Sequence, residues 1–397
     1  MRRCSGWVVA AGAVAVMLVN PCPGAAAETR SGAPTPRIAI LCYHDISDDA
    51  QAPLQTVSAE FLRRQIRDCR AAGWSFISLA ELLDHRLHLE QLPPKTLVLT
   101  FDDGYRSFRD RALPVLREEH VPATLAVITG FVDQPETGLP PLLGWDELRE
   151  VARDPGVSIA SHSHRLHRYE IANPYRDTAP SSATRRYLLA QRRYETREEY
   201  RARIRADLDT TQRVLRERLG TAADVLVWPY GMHNEMARGL ADQAGFRATL
   251  ALGGRAVTVD DLRSGCLPRI MVTRKFRFDA GDATWLEPAA TPMRAADVDL
   301  DDVYSPDPNV FRDRLDLLVK RVHALGATHV FLSVCSDTAA DGRQLASWCM
   351  NHQVRVRADV WSMVAFKLAQ ARIKVWARVP SMNLPWVWQQ HPEWRIG

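Results

Sequence analysis

Two adjacent aspartates follow a run of β-forming apolar residues in the segment LTFDDGY, residues 99–105. The pattern predicts a buried strand that delivers Asp102 and Asp103 together to its carboxyl end. In a metal site, one carboxylate of such a pair can bind the cation while its neighbour stays free for acid–base chemistry. A simple turn also explains an Asp-Asp-Gly segment after a strand, so the pair indicates a site only together with partners.

A histidine-rich segment supplies such partners. The stretch SHSHRLHR, residues 161–168, contains His162, His164 and His167, although the whole chain has only 12 histidines. Two imidazoles and a carboxylate at one rim make a standard site for a divalent metal that keeps open positions for water and substrate. A polar surface loop is the alternative interpretation.

Two further segments suit the hydrolysis of a carbonyl compound. His44 follows the apolar run RIAILCY and is placed to protonate a leaving group. The segment WPYG, residues 228–231, predicts a tight turn whose backbone N–H can hold an oxyanion. Taken singly, His44 can be an ordinary rim residue, and WPYG can be a turn with a packed aromatic ring.

The elements predicted around these residues place them at one edge. Strands alternate with helices, including a helix capped by Ser58 that stops at Gly73, and one that starts with the capping box Thr196 and Glu199 and ends at Gly220. Residues 171–195 predict a long irregular insertion. Because β/α alternation implies a mostly parallel sheet, the carboxyl ends of its strands share one rim, where we expect the candidate residues to meet.

Composition and the N-terminus narrow the protein class. The chain has 397 residues, 46% of them hydrophobic and 25% charged, with a net charge of +4 and no basic run that favours nucleic acid. Arg2 and Arg3, the apolar residues 7–19 and the alanines at 25–27 predict a signal peptide over 1–27 and an exported protein without a membrane span. A lipoprotein anchor at Cys22 is the minority alternative.

The chain divides into two predicted domains. A polar segment, 28–36, precedes a first domain over 37–280, and a linker over 281–296 leads to a β-α-β-α-β pattern over 297–397. That last part is too short for a closed (β/α)8 barrel, which takes about 250 residues. Asp299 and Asp301 follow its first strand, a normal position for sugar-hydrolysing carboxylates. Solvated turn acids, or residues of an incomplete groove that can still bind sugar, are favoured over residues that cleave it.

The segments YHD, TFDDG and WPYG, with the histidine motif, resemble the polysaccharide deacetylases of the NodB homology type, carbohydrate esterase family 4. More narrowly, LCYHDI, LTFDDGYRSF and VWPYG are similar to the periplasmic poly-β-1,6-N-acetyl-D-glucosamine N-deacetylases of biofilm export, the PgaB-like proteins. The resemblance implies an α/β fold, a distorted (β/α) barrel of the NodB type. A truncated β-α-β module would follow it, resembling the start of a (β/α)8 glycoside-hydrolase-like domain.

The resemblance also implies a metal centre. Asp103, His162 and His167 would bind a divalent cation, Zn, Ni, Co or Fe, with the two histidines at the spacing of the subfamily. The role of His164 stays open, because its two-residue distance from His162 also suits a metal site on a strand.

Acid–base roles follow from the same resemblance. Asp102 would be the catalytic base and His44 the general acid. Tyr230 would bind substrate by directing its backbone N–H at the oxyanion.

The implied function is metal-dependent N-deacetylation of N-acetylglucosamine residues in an exported β-1,6-linked biofilm polymer, in the periplasm, with an outer-membrane export machine as a possible partner. Deacetylation of chitin or peptidoglycan uses the same chemistry. A polysaccharide-binding protein without activity is an alternative of another class. A non-haem iron oxygenase also uses two histidines and a carboxylate, but the β/α alternation and the second aspartate argue against it.

Overall fold

The computed structural model describes residues 36–49, 51–172, 176, 178–276, 293–336, 346–349, 354–371 and 373–379. The chain divides between Ala290 and Thr291 into two compact units. The predicted signal peptide and the segment 28–36, except Pro36, lie outside the described residues. Of the predicted linker 281–296, only 293–296 are described, and a strand already begins there at Ala295. Within the described ranges, no helix has both the length and the apolar character needed to cross a bilayer.

The first unit is built around a closed barrel of parallel strands. Seven strands pair in the order β1, β12, β11, β10, β5, β4 and β3, and β3 pairs back onto β1. This closure confirms the predicted barrel. The strands of the unit are β1 (Arg37–Tyr43), β2 (Ser75–Phe76), β3 (Lys95–Phe101), β4 (Ala123–Val127), β5 (Val157–Ser161), β6 (Tyr169–Ile171), β7 (Thr178–Pro180), β8 (Tyr187–Leu188), β9 (Arg193–Tyr194), β10 (Val225–Val227), β11 (Ala248–Leu252) and β12 (Cys266–Met271).

Helices surround this barrel, and their ends are set by local sequence. The Ser58 hydroxyl accepts from the Phe61 N–H at the start of the first helix, and the predicted capping box of Thr196 and Glu199 is present. The long helix ends at Gly220, whose φ of 80° suits glycine. The helices are α1 (Ala59–Ala71), α2 (Leu79–Asp84), α3 (Leu113–Glu118), α4 (Thr129–Asp133), α5 (Trp145–Ala152), α6 (Arg197–Leu219), α7 (Glu235–Gln243) and α8 (Val259–Ser264), with a π-helical turn at Phe108–Ala112 and 3-10 turns at Leu89–Gln91, Leu189–Gln191 and Pro229–Gly231.

Side chains from all seven barrel strands fill the barrel interior. They include Ile38, Ile40, Val98, Ala126, Ala160, Val227, Leu250 and Leu267. Because side chains alternate between the two faces of a strand, Cys42 follows Ile40 on the inner face and Arg269 follows Leu267. The interior therefore changes from apolar to polar toward the carboxyl ends of the strands.

The insertion before α6 is more regular than its sequence indicates. Strand β6 pairs with β7 and β8 pairs with β9, each pair antiparallel. The prediction of an irregular segment was wrong for these residues, since strands of two or three residues carry too little periodicity to detect.

The second unit contains the predicted β-α-β-α-β pattern. Strands β13 (Ala295–Val298), β14 (His329–Ser333) and β18 (Lys374–Arg378) form a parallel sheet in that order, and β15 (Cys335–Ser336), β16 (Ala346–Ser347) and β17 (Arg355–Val356) form a smaller one. The helices are α9 (Leu300–Val303), α10 (Pro308–Ala324) and α11 (Trp361–Gln370). The first strand of this unit ends at Val298, because the Asp299 side chain accepts from the Asp301 N–H and starts α9.

The two acids noted in this unit are both engaged by basic side chains. Asp299 pairs with Arg378 at 2.9 Å and accepts from the Ser333 hydroxyl. Asp301 pairs with Arg357 and accepts from the Ser336 hydroxyl. Both acids lie at the turn after the first strand, as expected, but they are paired with arginines and not simply solvated.

Candidate active site

The Asp-Asp pair sits at a sharp turn directly after β3. Asp103 has a φ of 72° and Gly104 a φ of 76°, so the chain turns through two left-handed residues. Such a conformation is costly for most side chains but is more often adopted by Asp. Asp102 keeps the strand direction, because its N–H donates to the Tyr43 carbonyl. The two neighbouring carboxylates therefore face different partners.

Asp103, His162 and His167 converge at the rim of the barrel. The Asp103 Oδ1 atom lies 3.5 Å from His162 Nε2 and 3.4 Å from His167 Nε2. The Nδ1 atom of His162 donates to the Val227 carbonyl at 2.8 Å, which leaves Nε2 as the nitrogen with a free lone pair. The structure thus brings together the three residues expected to bind the metal.

These three side chains fit a divalent cation. Asp103 Oδ1 is buried and has no hydrogen-bond partner, an arrangement that is rare for a buried carboxylate oxygen. Burial lowers the pKa of His162 to about 3 and also lowers the pKa of His167, so both rings are neutral, as metal ligands must be. Burial, with the charge on Asp102, raises the pKa of Asp103 to about 6. A cation would reverse this last shift, because it favours the ionised carboxylate.

His164, the remaining histidine of the segment, contacts other residues. His164 Nδ1 lies 3.0 Å from the Thr129 hydroxyl. The backbone N–H groups of His164 and Arg165 donate to the two oxygens of Asp207, at 2.9 and 2.7 Å. Asp207 thus shapes the loop that carries His162 and His167, the candidate metal ligands, and sequence reasoning missed it because it lies on α6, more than forty positions away. His164 is outside the metal cluster.

This difference between neighbouring histidines gives a prediction for metal content. We expect His162→Ala to weaken divalent metal binding by more than about 100-fold, since losing even an outer partner of a ligand costs 10–100-fold. The matched variant His164→Ala should keep the metal within a few-fold. Metal content after dialysis, measured by elemental analysis, checks both. Equal metal loss in the two variants would contradict the assignment.

Asp102 is held by an arginine that sequence reasoning did not select. Arg269 Nη1 and Nη2 donate to Asp102 Oδ1 and Oδ2 at 2.7 and 2.8 Å, and Arg269 is fully buried. Burial alone would raise the pKa of Asp102, but the Arg269 guanidinium outweighs it and holds that pKa well below its usual range. The signal was visible in CLPRIM, where one arginine interrupts an apolar strand. A buried arginine requires a charged partner.

Cys42 and His44 complete this side of the rim. The Cys42 thiol donates to Asp102 Oδ2 at 3.3 Å, and burial raises the pKa of Cys42, so it remains a thiol. His44 is half-buried, and one of its ring nitrogens lies within 4.8 Å of both the Cys42 sulfur and an Asp102 oxygen. His44 therefore lies close to Asp102 and is still partly exposed to solvent.

Tyr230 lies at the same rim, in the turn Pro229–Gly231. Its φ is 57°, and its ring centroid is 4.5 Å from that of His167. Gly231 is required next to it, since a Cβ there would lie 2.4 Å from Leu252 Cβ. The first N–H groups of a helical turn have no acceptor within the turn, which leaves the Tyr230 N–H suited to an oxyanion.

Comparisons with known proteins identify relatives of both units. Residues 90–249 match the polysaccharide deacetylase family, and residues 297–393 match hypothetical glycosyl hydrolase family 13. Over 358 residues, the chain is 29% identical to a poly-beta-1,6-N-acetyl-D-glucosamine N-deacetylase of Escherichia coli (strain K12), covering 86% of this chain and 53% of that protein. The chain thus spans about half the length of the curated relatives it matches.

Solved structures give the same result for the first unit. A de-N-acetylase from Aggregatibacter actinomycetemcomitans superposes with a TM-score of 0.57 at 28% identity, covering 62% of this chain and 98% of that one. The BpsB deacetylase domain from Bordetella bronchiseptica has a TM-score of 0.53 at 32% identity, covering 60% and 97%. The chain belongs to the polysaccharide deacetylase family.

Proposed function

We propose that the first unit is a metal-dependent N-deacetylase that removes acetyl groups from N-acetylglucosamine residues of exported poly-β-1,6-N-acetyl-D-glucosamine. The observation that carries the proposal is that the two adjacent carboxylates have different partners. Asp103 faces two neutral imidazoles with an unpaired oxygen, while Asp102 is held as an anion by Arg269. The polymer is inferred from the name of the Escherichia coli relative.

The metal would be bound by Asp103, His162 and His167. When bound, a divalent cation there acts as a Lewis acid toward the acetyl carbonyl and makes water more acidic. Zn, Ni, Co and Fe all suit two imidazole ligands and one carboxylate.

Asp102 would serve as the base that takes the proton from the attacking water. Arg269 keeps the Asp102 carboxylate ionised at neutral pH, so it carries no proton of its own, as a base requires. Arg269 donates to both oxygens and the Cys42 thiol donates to Oδ2 as well, so of the roughly four acceptor positions of a carboxylate, one on Oδ1 is left. A proton acceptor therefore remains available.

His44 and Tyr230 would act on the tetrahedral intermediate that forms when water attacks the acetyl carbonyl. As an imidazolium, His44 gives its proton to the amide nitrogen while the carbon–nitrogen bond breaks, so the sugar leaves as an amine and the acetyl group as acetate. The Tyr230 N–H would donate to the negatively charged oxygen that forms on the acetyl carbon.

The test is acetate release from defined oligosaccharides. We expect the protein to release acetate from a β-1,6-linked N-acetylglucosamine pentasaccharide faster than from its β-1,4-linked counterpart. A chelator should abolish release, and added Zn, Ni, Co or Fe should restore it. Faster release from the β-1,4-linked series or from peptidoglycan would show that the proposed β-1,6-linked substrate is wrong. Binding without acetate release by metal-loaded protein would support a non-catalytic function, and turnover that requires oxygen would support an oxygenase.

Location and partners belong to the same proposal. The N-terminal pattern favours export to the periplasm, where the polymer would meet the enzyme and where an outer-membrane export machine would be its partner. Each deacetylated residue becomes an amine that carries positive charge near neutral pH, so the product would adhere to acidic surfaces.

A further inference from the structure

Tyr169, a tyrosine near the candidate active site, has an unusually exposed side chain. Among the described residues from 36 to 276, Tyr169 is the aromatic side chain with the greatest exposure, 48%, and the others are buried or half-buried. Burial is the usual state of a large aromatic ring, because covering it stabilises the fold. A ring left half in water beside a reaction centre is a candidate for binding substrate.

Tyr169 is connected to the metal cluster through a single ring. The rings of His167, Tyr230 and Tyr169 form what we call the aromatic row. The centroid of Tyr230 lies 4.5 Å from that of His167 and 4.6 Å from that of Tyr169, within the range of aromatic contacts. Two successive ring contacts therefore connect the exposed end of the row to an imidazole of the candidate metal site.

The backbone that carries Tyr169 is firmly supported. Tyr169 pairs with Pro180 across the β6–β7 hairpin, and the Ser181 N–H donates to the Arg168 carbonyl. The Arg203 side chain on α6 donates to both the Ser181 carbonyl and the Glu195 carboxylate. A ring on such a strand is preorganised, so a ligand that stacks on it loses little free energy in ordering the protein.

The charged neighbours of Tyr169 are directed away from its ring. Arg168 directly precedes β6 and Glu170 lies on it; the two pair with each other at 2.9 Å, and Glu170 also pairs with Arg186 at 2.7 Å. Because side chains alternate along a strand, the face that carries Tyr169 is opposite to the one that carries this ion pair. The ion pair is therefore directed away from the ring, and the face of the ring suits an uncharged ligand.

We propose that Tyr169 is a stacking platform for the sugar residue adjoining the one that is deacetylated. The proposal rests on the proposed function and extends it to a second subsite. The C–H face of a pyranose ring is apolar and matches an exposed aromatic ring, and an acetylated sugar unit carries no charge. Tyr169 would thus favour polymer over single sugars.

The test compares two variants of Tyr169 with one of Tyr187, a half-buried tyrosine on the neighbouring strand β8. For Tyr169→Ala, we expect KM for the β-1,6 pentasaccharide to rise on the order of tenfold, the effect of losing one aromatic contact, while kcat and metal content stay within about twofold. Tyr169→Phe should keep the KM of the unmodified protein, since the ring and not the hydroxyl does the binding. Tyr187→Ala should leave KM unchanged.

Direct binding separates this proposal from the proposed function. Acetate release by the unmodified protein decides the proposed function. The dissociation constant of the pentasaccharide, measured by calorimetry in Asp102→Asn protein with and without Tyr169→Ala, decides the platform, and we expect the same tenfold difference. Equal affinity in these two proteins, or an equal rise of KM in Tyr187→Ala, would overturn the platform even if acetate is released.

Discussion

Asp102→Asn is expected to lose acetate release by about 10²–10⁴-fold while it still binds a divalent metal. An amide has the shape of a carboxylate but does not take a proton from water, and a positioned base contributes about 10²–10⁴-fold to a rate. The metal cluster is formed by other side chains, so it should remain. Acetate release checks the loss of activity and metal content checks the retained metal, both measured on the same folded sample.

Asp103→Asn is the matched control for this prediction. Its side chain is adjacent in sequence and similarly buried, at 7% exposure against 3% for Asp102. We expect the metal to be lost together with activity, because Asp103 Oδ1 is the oxygen that faces both imidazoles. If Asp102→Asn retains turnover, or if the two variants lose metal alike, the assignment of Asp102 as base and Asp103 as metal ligand is wrong.

The convergence of these residues was predictable because it depends on periodicity. Strand periodicity placed His44, Asp102 and His162 at the ends of parallel strands, and parallel strands share one rim. The fold then brings them together without further information from individual contacts. The general placement of the site therefore follows from patterns that a single sequence carries.

The residues that hold the site were less accessible to sequence reasoning. Asp207 acts on the histidine loop from the middle of a helix, where an aspartate normally indicates a solvated face. Arg269 left a clearer signal as a charged residue in an apolar strand, but its partner depends on barrel closure. The direction of His164 depends on the left-handed backbone of Ser163, which a sequence pattern does not specify.

The ion pair of Asp102 with Arg269 gives the prediction with the largest expected effect on stability. Arg269→Met removes the guanidinium and leaves a buried carboxylate without compensation, which typically costs about 3–5 kcal/mol. Arg255→Met is the control, because Arg255 makes a similar two-pronged pair with Asp261 but is 39% exposed. Partly exposed pairs of this kind contribute about 1 kcal/mol or less. Urea unfolding of metal-free protein gives both values.

The pH dependence of this loss separates lost charge compensation from lost packing. In the unmodified protein, the pKa of Asp102 is depressed, so its contribution to stability is fully present above the ordinary aspartate pKa of about 3.9 and constant between about pH 5 and 7. Without Arg269, burial would raise that pKa above its unfolded value, and protonation would then favour the folded state as pH falls. We therefore expect the destabilisation by Arg269→Met to be smaller at about pH 5 than at about pH 7. A loss independent of pH would assign the effect to packing alone, and Arg269 would then not be the group that keeps Asp102 ionised.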